Sequence, residues 1–298
     1  MKPEQILAHT PKVLSQDQRE FYFEYGYLQL ESYIGAEWLD RLWTVTNRLV
    51  DDSRKLESST KTFDLEPDHT AAAPRLRRIS NPVGLDPVFE EFALRGPTVD
   101  LAEDLVGPDV KFHHSKLNMK WAGGGEEVKW HQDIQFWPHT NYSPLTIGLY
   151  MDDVDDEMGP MGVIPGSHRG EIYDLYAKDG TWNGALDDDD LAKVPLDTAA
   201  WLKGPKGSIT IHNCRMLHGS RTNNSTRGRP LLLHTYASAD ALIMANSVVT
   251  KSPFTETIVR GNRAKWIHFD AEPCLNPPDW SKGYTSIFDV QQEKGAAA

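Results

Sequence analysis

From about Asp109 onward the sequence is a series of short stretches with period-two alternation, each entered from a turn carrying glycine or proline. Residues 110–121 alternate over most of their length, and Leu145, Ile147, Leu149 and Met151 occupy every other position of a second stretch. Residues 207–212 and 231–236 supply two more. Such alternation places one set of side chains on each face of a strand. Many short strands with turns between them predict a sandwich or barrel rather than an alternating strand–helix sheet.

The first third reads differently. Ser15 suits the N-cap of a helix ending near Tyr25, with Gly26 placed to terminate it. A longer amphipathic stretch over 36–54 spaces Trp38, Leu42, Val45 and Leu49 at steps of three and four. Residues 58–74 are polar and turn-rich, which predicts a long loop of the kind often used as a lid. Two further short helices are expected over 86–94 and 97–106. The acidic run Asp187 to Asp190 reads as a solvated loop or helix start.

Composition narrows the function classes. A chain of 298 residues is near the upper limit for one hydrophobic core. With 39% hydrophobic and 25% charged residues, a soluble globular protein is the expectation. No apolar run is long enough to span a bilayer, and the first residues lack the apolar centre of a secretion signal. The net charge of −12 argues against nucleic acid as a main partner, because phosphate binding needs a concentrated basic face. Two cysteines, Cys214 and Cys274, form no Cys-x-x-Cys pair, so a disulfide framework or thiolate zinc site is not expected. A cytoplasmic protein with a small-molecule substrate, and with neither nucleic acid nor membrane as partner, fits these numbers.

The chemistry is concentrated in three places. His131 and Asp133 are two residues apart, a spacing at which an imidazole and a carboxylate project from the same side of a strand. His218 lies far downstream, followed by Gly219 and Ser220. Two histidines and one carboxylate with open positions opposite form the facial ligand set of non-heme iron(II) oxygenases. A lone His-x-Asp is weak evidence among eleven histidines, and a histidine packed beside a surface aspartate has the same pattern. The surroundings favour a site: Trp130, Phe136, Trp137, His139 and Tyr142 could wall a pocket, and equally could be core. His113, His114 and His212 are alternative ligands without a carboxylate two residues away. His168 reads as a turn residue and His234 as a core histidine.

Together, His131-Gln132-Asp133, the stretch from Met158 through Gly166-Ser167-His168, Leu217-His218-Gly219-Ser220 and Arg229 resemble the phytanoyl-CoA dioxygenase family of iron(II)/2-oxoglutarate-dependent oxygenases. The resemblance covers roughly residues 15–240. It implies a double-stranded β-helix (jelly roll, cupin-like), mainly β with flanking helices. The expected layout is one domain over 1–298: a mainly helical part over 1–107 packed outside, the jelly-roll core over 108–240, and an extension over 241–298.

Carried over residue by residue, the resemblance implies His131, Asp133 and His218 as catalytic iron ligands. Arg229 is expected to pair with the distal carboxylate of 2-oxoglutarate, with Arg221 and Arg227 as rivals. Ser220 would hydrogen-bond the same group. Gln132, Asn118 and Lys120 are further cosubstrate candidates, the last two alternating with Lys116 along one strand face. The implied reaction consumes O2 and 2-oxoglutarate, releases succinate and CO2, and hydroxylates an unactivated C–H bond of a small metabolite. Asp133 takes its own coordination position, which favours hydroxylation over halogenation. An acyl-CoA hydroxylase, a non-catalytic cupin-like metal-binding or sensing protein, and a zinc hydrolase are the alternatives. The cluster Arg75, Arg77 and Arg78 could meet an anionic group or form structural ion pairs.

Overall fold

The computed structural model describes residues 1–123, 125–244, 252–278 and 287–292. Among these, twelve strands form two antiparallel sheets. They are β1 (Tyr27–Leu30), β2 (Phe63–Leu65), β3 (Leu76–Ser80), β4 (Val110–Asn118), β5 (Val128–His131), β6 (Leu145–Tyr150), β7 (Met161–Val163), β8 (Ala200–Leu202), β9 (Ile209–Asn213), β10 (His218–Ser220), β11 (Leu231–Ser238) and β12 (Ile258–Arg260). The major sheet runs β1-β9-β6-β11-β4-β3-β2, with β12 also on β4, and the minor sheet runs β5-β10-β7-β8. The chain is therefore mainly β with flanking helices, as the turn-punctuated alternation predicts.

Period two divides the major sheet into two chemically different faces. On one face lie Ile79, Leu117, Ile147, Leu149, Ile209, Ile211 and Leu232, all buried. They pack in one cluster with helical residues Leu42, Val45, Leu49, Phe89, Phe92 and Leu101. Helices Ala36–Asp52, Pro87–Arg95 and Pro97–Val106 cover this face. The opposite face carries polar rows. Arg78, Asn118, Leu231 and Tyr150 align across four strands, as do Ser80, Lys116, Leu233 and Gly148, then His114, Thr235, Thr146 and His212. This face looks toward the minor sheet, and the site lies between them.

The helix ends follow local rules. Ser15 caps Gln16–Tyr25 by accepting from the Gln18 N–H, and Gly26 closes that helix at φ 80°. A side chain at Gly26 would also collide with the His168 ring. Pro97–Val106 has the predicted bounds.

The helical first part is not simply packed outside the barrel. It contributes β1, β2 and β3 to the major sheet, and the extension contributes β12. The stretch 58–74, expected as a loop, contains β2. Strands of three to five residues are too short to leave a periodic signal, and β1 pairs with β9 across a long sequence separation.

Candidate active site

β5 ends at His131, and the chain turns into a short 3-10 segment at Asp133–Gln135. β10 begins at His218, which is the direct antiparallel partner of His131. Directly opposed residues have Cβ atoms about 5 Å apart, so the register itself brings two imidazoles together; their ring centroids are 4.1 Å apart. Asp133 Oδ1 lies 3.6 Å from His131 Nε2 and 3.8 Å from His218 Nε2. The three donor atoms lie within 4.8 Å of one another, and all three residues are buried.

Each histidine is oriented by its own backbone. His131 Nδ1 donates to the Lys129 carbonyl at 2.8 Å, and His218 Nδ1 donates to the Met216 carbonyl at 3.0 Å. A carbonyl only accepts, so Nδ1 carries a proton on each ring and Nε2 is the nitrogen turned to the centre. Burial lowers His218 well below the ordinary imidazole range, aided by neighbouring His131 and His212, which keeps it neutral. Burial alone would raise the Asp133 carboxyl. Lys116 and His218, with a hydrogen bond from His212, outweigh it and hold the carboxylate ionised. Its second oxygen is engaged separately, 3.4 Å from His212 Nε2 and 3.4 Å from Thr146 Oγ1, while Thr146 also bonds Thr235 at 3.0 Å. One oxygen therefore faces the histidines and the other is held by the sheet. Two imidazoles, one carboxylate and fixed outer partners suit a divalent first-row metal.

Two cavities meet at this triad, with Lys116, Asn118 and Ile287 lining both. One is bounded by His131, His212, His218, Ser220 and Arg229. Arg229 precedes β11, is 3% exposed, and its Nε and Nη1 have no hydrogen-bond partner among the described residues. Burial lowers its pKa, with Tyr150 opposing, and the guanidinium lies 5.8 Å from the Tyr150 ring centroid. A buried guanidinium with unmet donors fits a carboxylate ligand. Asn118 Oδ1 is likewise buried without a partner among the described residues. Ser220 Oγ is held by Lys120 Nζ at 2.7 Å.

The remaining sequence candidates lie elsewhere. Gln132 does not line either cavity. Alternation turns it away, and its amide is fully engaged with the carbonyls of Glu171 and Arg215, the Gln135 amide and the Tyr173 N–H. Lys120 stands at φ 40° and spends its ammonium on Ser220 and the Arg221 carbonyl, so it acts on the cavity through Ser220. Burial, with Arg229 nearby, pushes its pKa well down.

Of the rivals to Arg229, Arg221 stacks on Trp201 at 3.8 Å and Arg227 pairs with Asp155 at the surface. His168 bonds the Phe23 carbonyl, and His234 lies on the apolar face against Phe92, where burial lowers its pKa to about 3. His113 and His114 bond each other through Nδ1 at 2.6 Å. His212 and Thr146 are the residues that sequence reasoning missed as supports for Asp133. Their inward parity was the available signal.

A family model for phytanoyl-CoA dioxygenase matches residues 22–231. The chain belongs to this family. It is accordingly an iron(II)- and 2-oxoglutarate-dependent dioxygenase, and the His131–Asp133–His218 geometry agrees with that class. A probable alpha-ketoglutarate-dependent hypophosphite dioxygenase of Stutzerimonas stutzeri is 33% identical over 239 residues, covering 77% of this chain and 80% of that protein. The L-proline trans-4-hydroxylase of Streptomyces griseoviridis is 34% identical over 46% of this chain and 58% of its own length. The crystal structure of EctD from S. alaskensis with 2-oxoglutarate and 5-hydroxyectoine covers 93% of each chain with a TM-score of 0.67 at 22% identity, a likeness of fold. The jelly-roll expectation holds at that level.

Proposed function

We propose that this chain is a single-domain hydroxylase in which His131, Asp133 and His218 hold iron(II), while Arg229, Ser220 and Asn118 seat 2-oxoglutarate. When bound, iron(II) with 2-oxoglutarate and O2 supplies the oxidation, releasing succinate and CO2 and placing one oxygen atom in a C–H or comparable bond. The protein's part is positional. The His131–His218 pairing sets two metal donors at one sheet edge, and His212 with Thr146 keeps Asp133 to a single free oxygen. Lys120 aims the Ser220 hydroxyl into the cavity that Arg229 closes. The observation carrying the cosubstrate assignment is the buried Arg229 fork with unmet donors, lining the cavity that His218 lines and not the second one.

That second cavity, bordered by Asp133, Phe136 and Trp137, is the substrate side of this reading. Its lining of Arg78, Ser80, His114, Lys116 and Asn118 suits a small polar molecule. Relatives named for hypophosphite, proline and ectoine support the small-molecule class. Cytoplasmic location and the lack of nucleic-acid or membrane partners belong to the same reading. The net charge and two free cysteines support it, and no described helix is long and apolar enough to cross a membrane.

The test is anaerobic addition of iron(II) and then 2-oxoglutarate, expecting a weak visible charge-transfer band and slow succinate formation once air is admitted. Activity restored by zinc instead of iron(II) would move the chain to hydrolysis. A band with no succinate under any added small molecule would leave a sensor.

A further inference from the structure

The described residues lining the two cavities at the triad all come from the stretch between β3 and β11, with one exception. Ile287 belongs to the short helix Ile287–Gln292 and lines both cavities. This helix lies against β5, the edge strand of the minor sheet.

A side-chain clasp holds it there. Gln291 is buried; its Oε1 accepts from the Lys129 N–H at 3.0 Å, and its Nε2 donates to the Gly184 carbonyl at 2.8 Å. Lys129 Nζ adds a bond to the Gln291 carbonyl at 3.4 Å. An edge strand leaves backbone N–H groups without a ladder partner, so Lys129 has this donor to give. The Lys129 carbonyl orients His131, so the clasp closes on the same residue that aims a triad histidine. Phe288 is buried, with the Arg77 guanidinium 5.7 Å from its ring centroid. Ile287 and Val290 pack against the cluster of Phe136, Trp182 and Leu186. At Gly184, φ 62°, a side chain would come within 3.3 Å of Val290, so the glycine leaves room for the helix.

These ties are few and local. A helix of six residues is too short to persist alone in water, so it depends on docking. Three hydrogen bonds and three apolar side chains hold it, whereas the walls opposite are hydrogen-bonded strands. Its release is therefore a local opening, less costly than unpairing the sheets. Such an opening withdraws Ile287 from both cavities at once.

We propose that the helix Ile287–Gln292 is a movable wall of the active site. It undocks to admit 2-oxoglutarate and substrate and redocks over them, with Ile287 as the contact residue and Gln291 as the positioning residue. Redocking excludes water from both ligands during turnover. The inference rests on the cosubstrate reading above for which ligand lies behind the wall.

The experiment mixes the anaerobic protein, loaded with iron(II), with 2-oxoglutarate in a stopped-flow and follows the charge-transfer band. Its concentration dependence gives the association and release rate constants. Exchange takes place from the undocked state, so both constants scale with the population of that state. Q291A, which removes the clasp and leaves the cavity lining intact, should raise both about 3- to 30-fold, the range for one or two lost hydrogen bonds between neutral groups. Q291E, which keeps an acceptor for Lys129 and loses the donor to Gly184, should fall between Q291A and the unsubstituted chain. I287A, which opens the wall itself, should also raise both constants, and I287V should stay closer to the unsubstituted chain than I287A. Unchanged constants in Q291A and I287A with native circular dichroism overturn the proposal. So does a change confined to release in both variants, because a weakened ligand contact gives that without a gate. Absence of the band in the unsubstituted protein, or an affinity that Arg229→Ala leaves intact, overturns the cosubstrate reading instead, so the two failures are distinguishable.

Discussion

Lys116 and Leu117 are neighbours on β4, yet they belong to different parts of the molecule. Leu117 is fully buried in the apolar cluster beneath the helices, whereas Lys116 lines both cavities at the triad. The same contrast runs across the sheet: Ile79 against Arg78 and Ser80, Ile147 against Thr146, Ile211 against His212. One face supplies folding free energy through apolar burial, and the other spends part of it on buried polar groups. A one-residue slip would exchange the two sets, so the core that fixes the register also fixes the site.

Substitutions on either face can break this contrast. Asp133→Ala removes the only carboxylate of the triad, and succinate formation should fall below detection while the far-ultraviolet circular dichroism stays native; wild-type turnover would refute an essential ligand. Leu117→Ala, on the apolar face, should cost about 2–5 kcal/mol in a urea or thermal melt. Turnover per folded molecule should persist, and a lost activity in fully folded protein would mean that the faces are not separable. Arg229→Ala should raise the 2-oxoglutarate requirement by about 10- to 100-fold, corresponding to about 1.5–3 kcal/mol for a lost charged hydrogen bond. An unchanged requirement would transfer that role to another cation. The smallest effect sharpens the comparison from outside both faces: Ser15→Ala should lower stability by about 1 kcal/mol through the lost cap, measured by midpoint shift, with kinetics unaltered.

How much of this could be read from residues alone depends on the range of the interaction. Caps are local, so Ser15 and Gly26 bound their helix as expected. The i, i+2 spacing of His131 and Asp133 puts both on one side even though Asp133 already belongs to a turn. The same parity rule turns Gln132 away, which the resemblance alone did not reveal. The pairing of His218 with His131, the partnering of Arg78 with Asn118, and the stacking of Arg221 on Trp201 depend on register between strands far apart in the chain. No local pattern encodes them. Arg78 could be seen as part of a basic cluster, but only the sheet separates it from Arg77.

The direct opposition of His131 and His218 has a thermodynamic corollary. An ion gripped by both ties the short strand β10 to β5, and the unfolded chain, with those residues apart, offers no comparable grip. At a hundredfold excess over its dissociation constant, such an ion deepens the native well by about 2.7 kcal/mol. Chelation therefore loosens the minor sheet as well as silencing the enzyme, and iron supply becomes a determinant of the protein's lifetime against proteases.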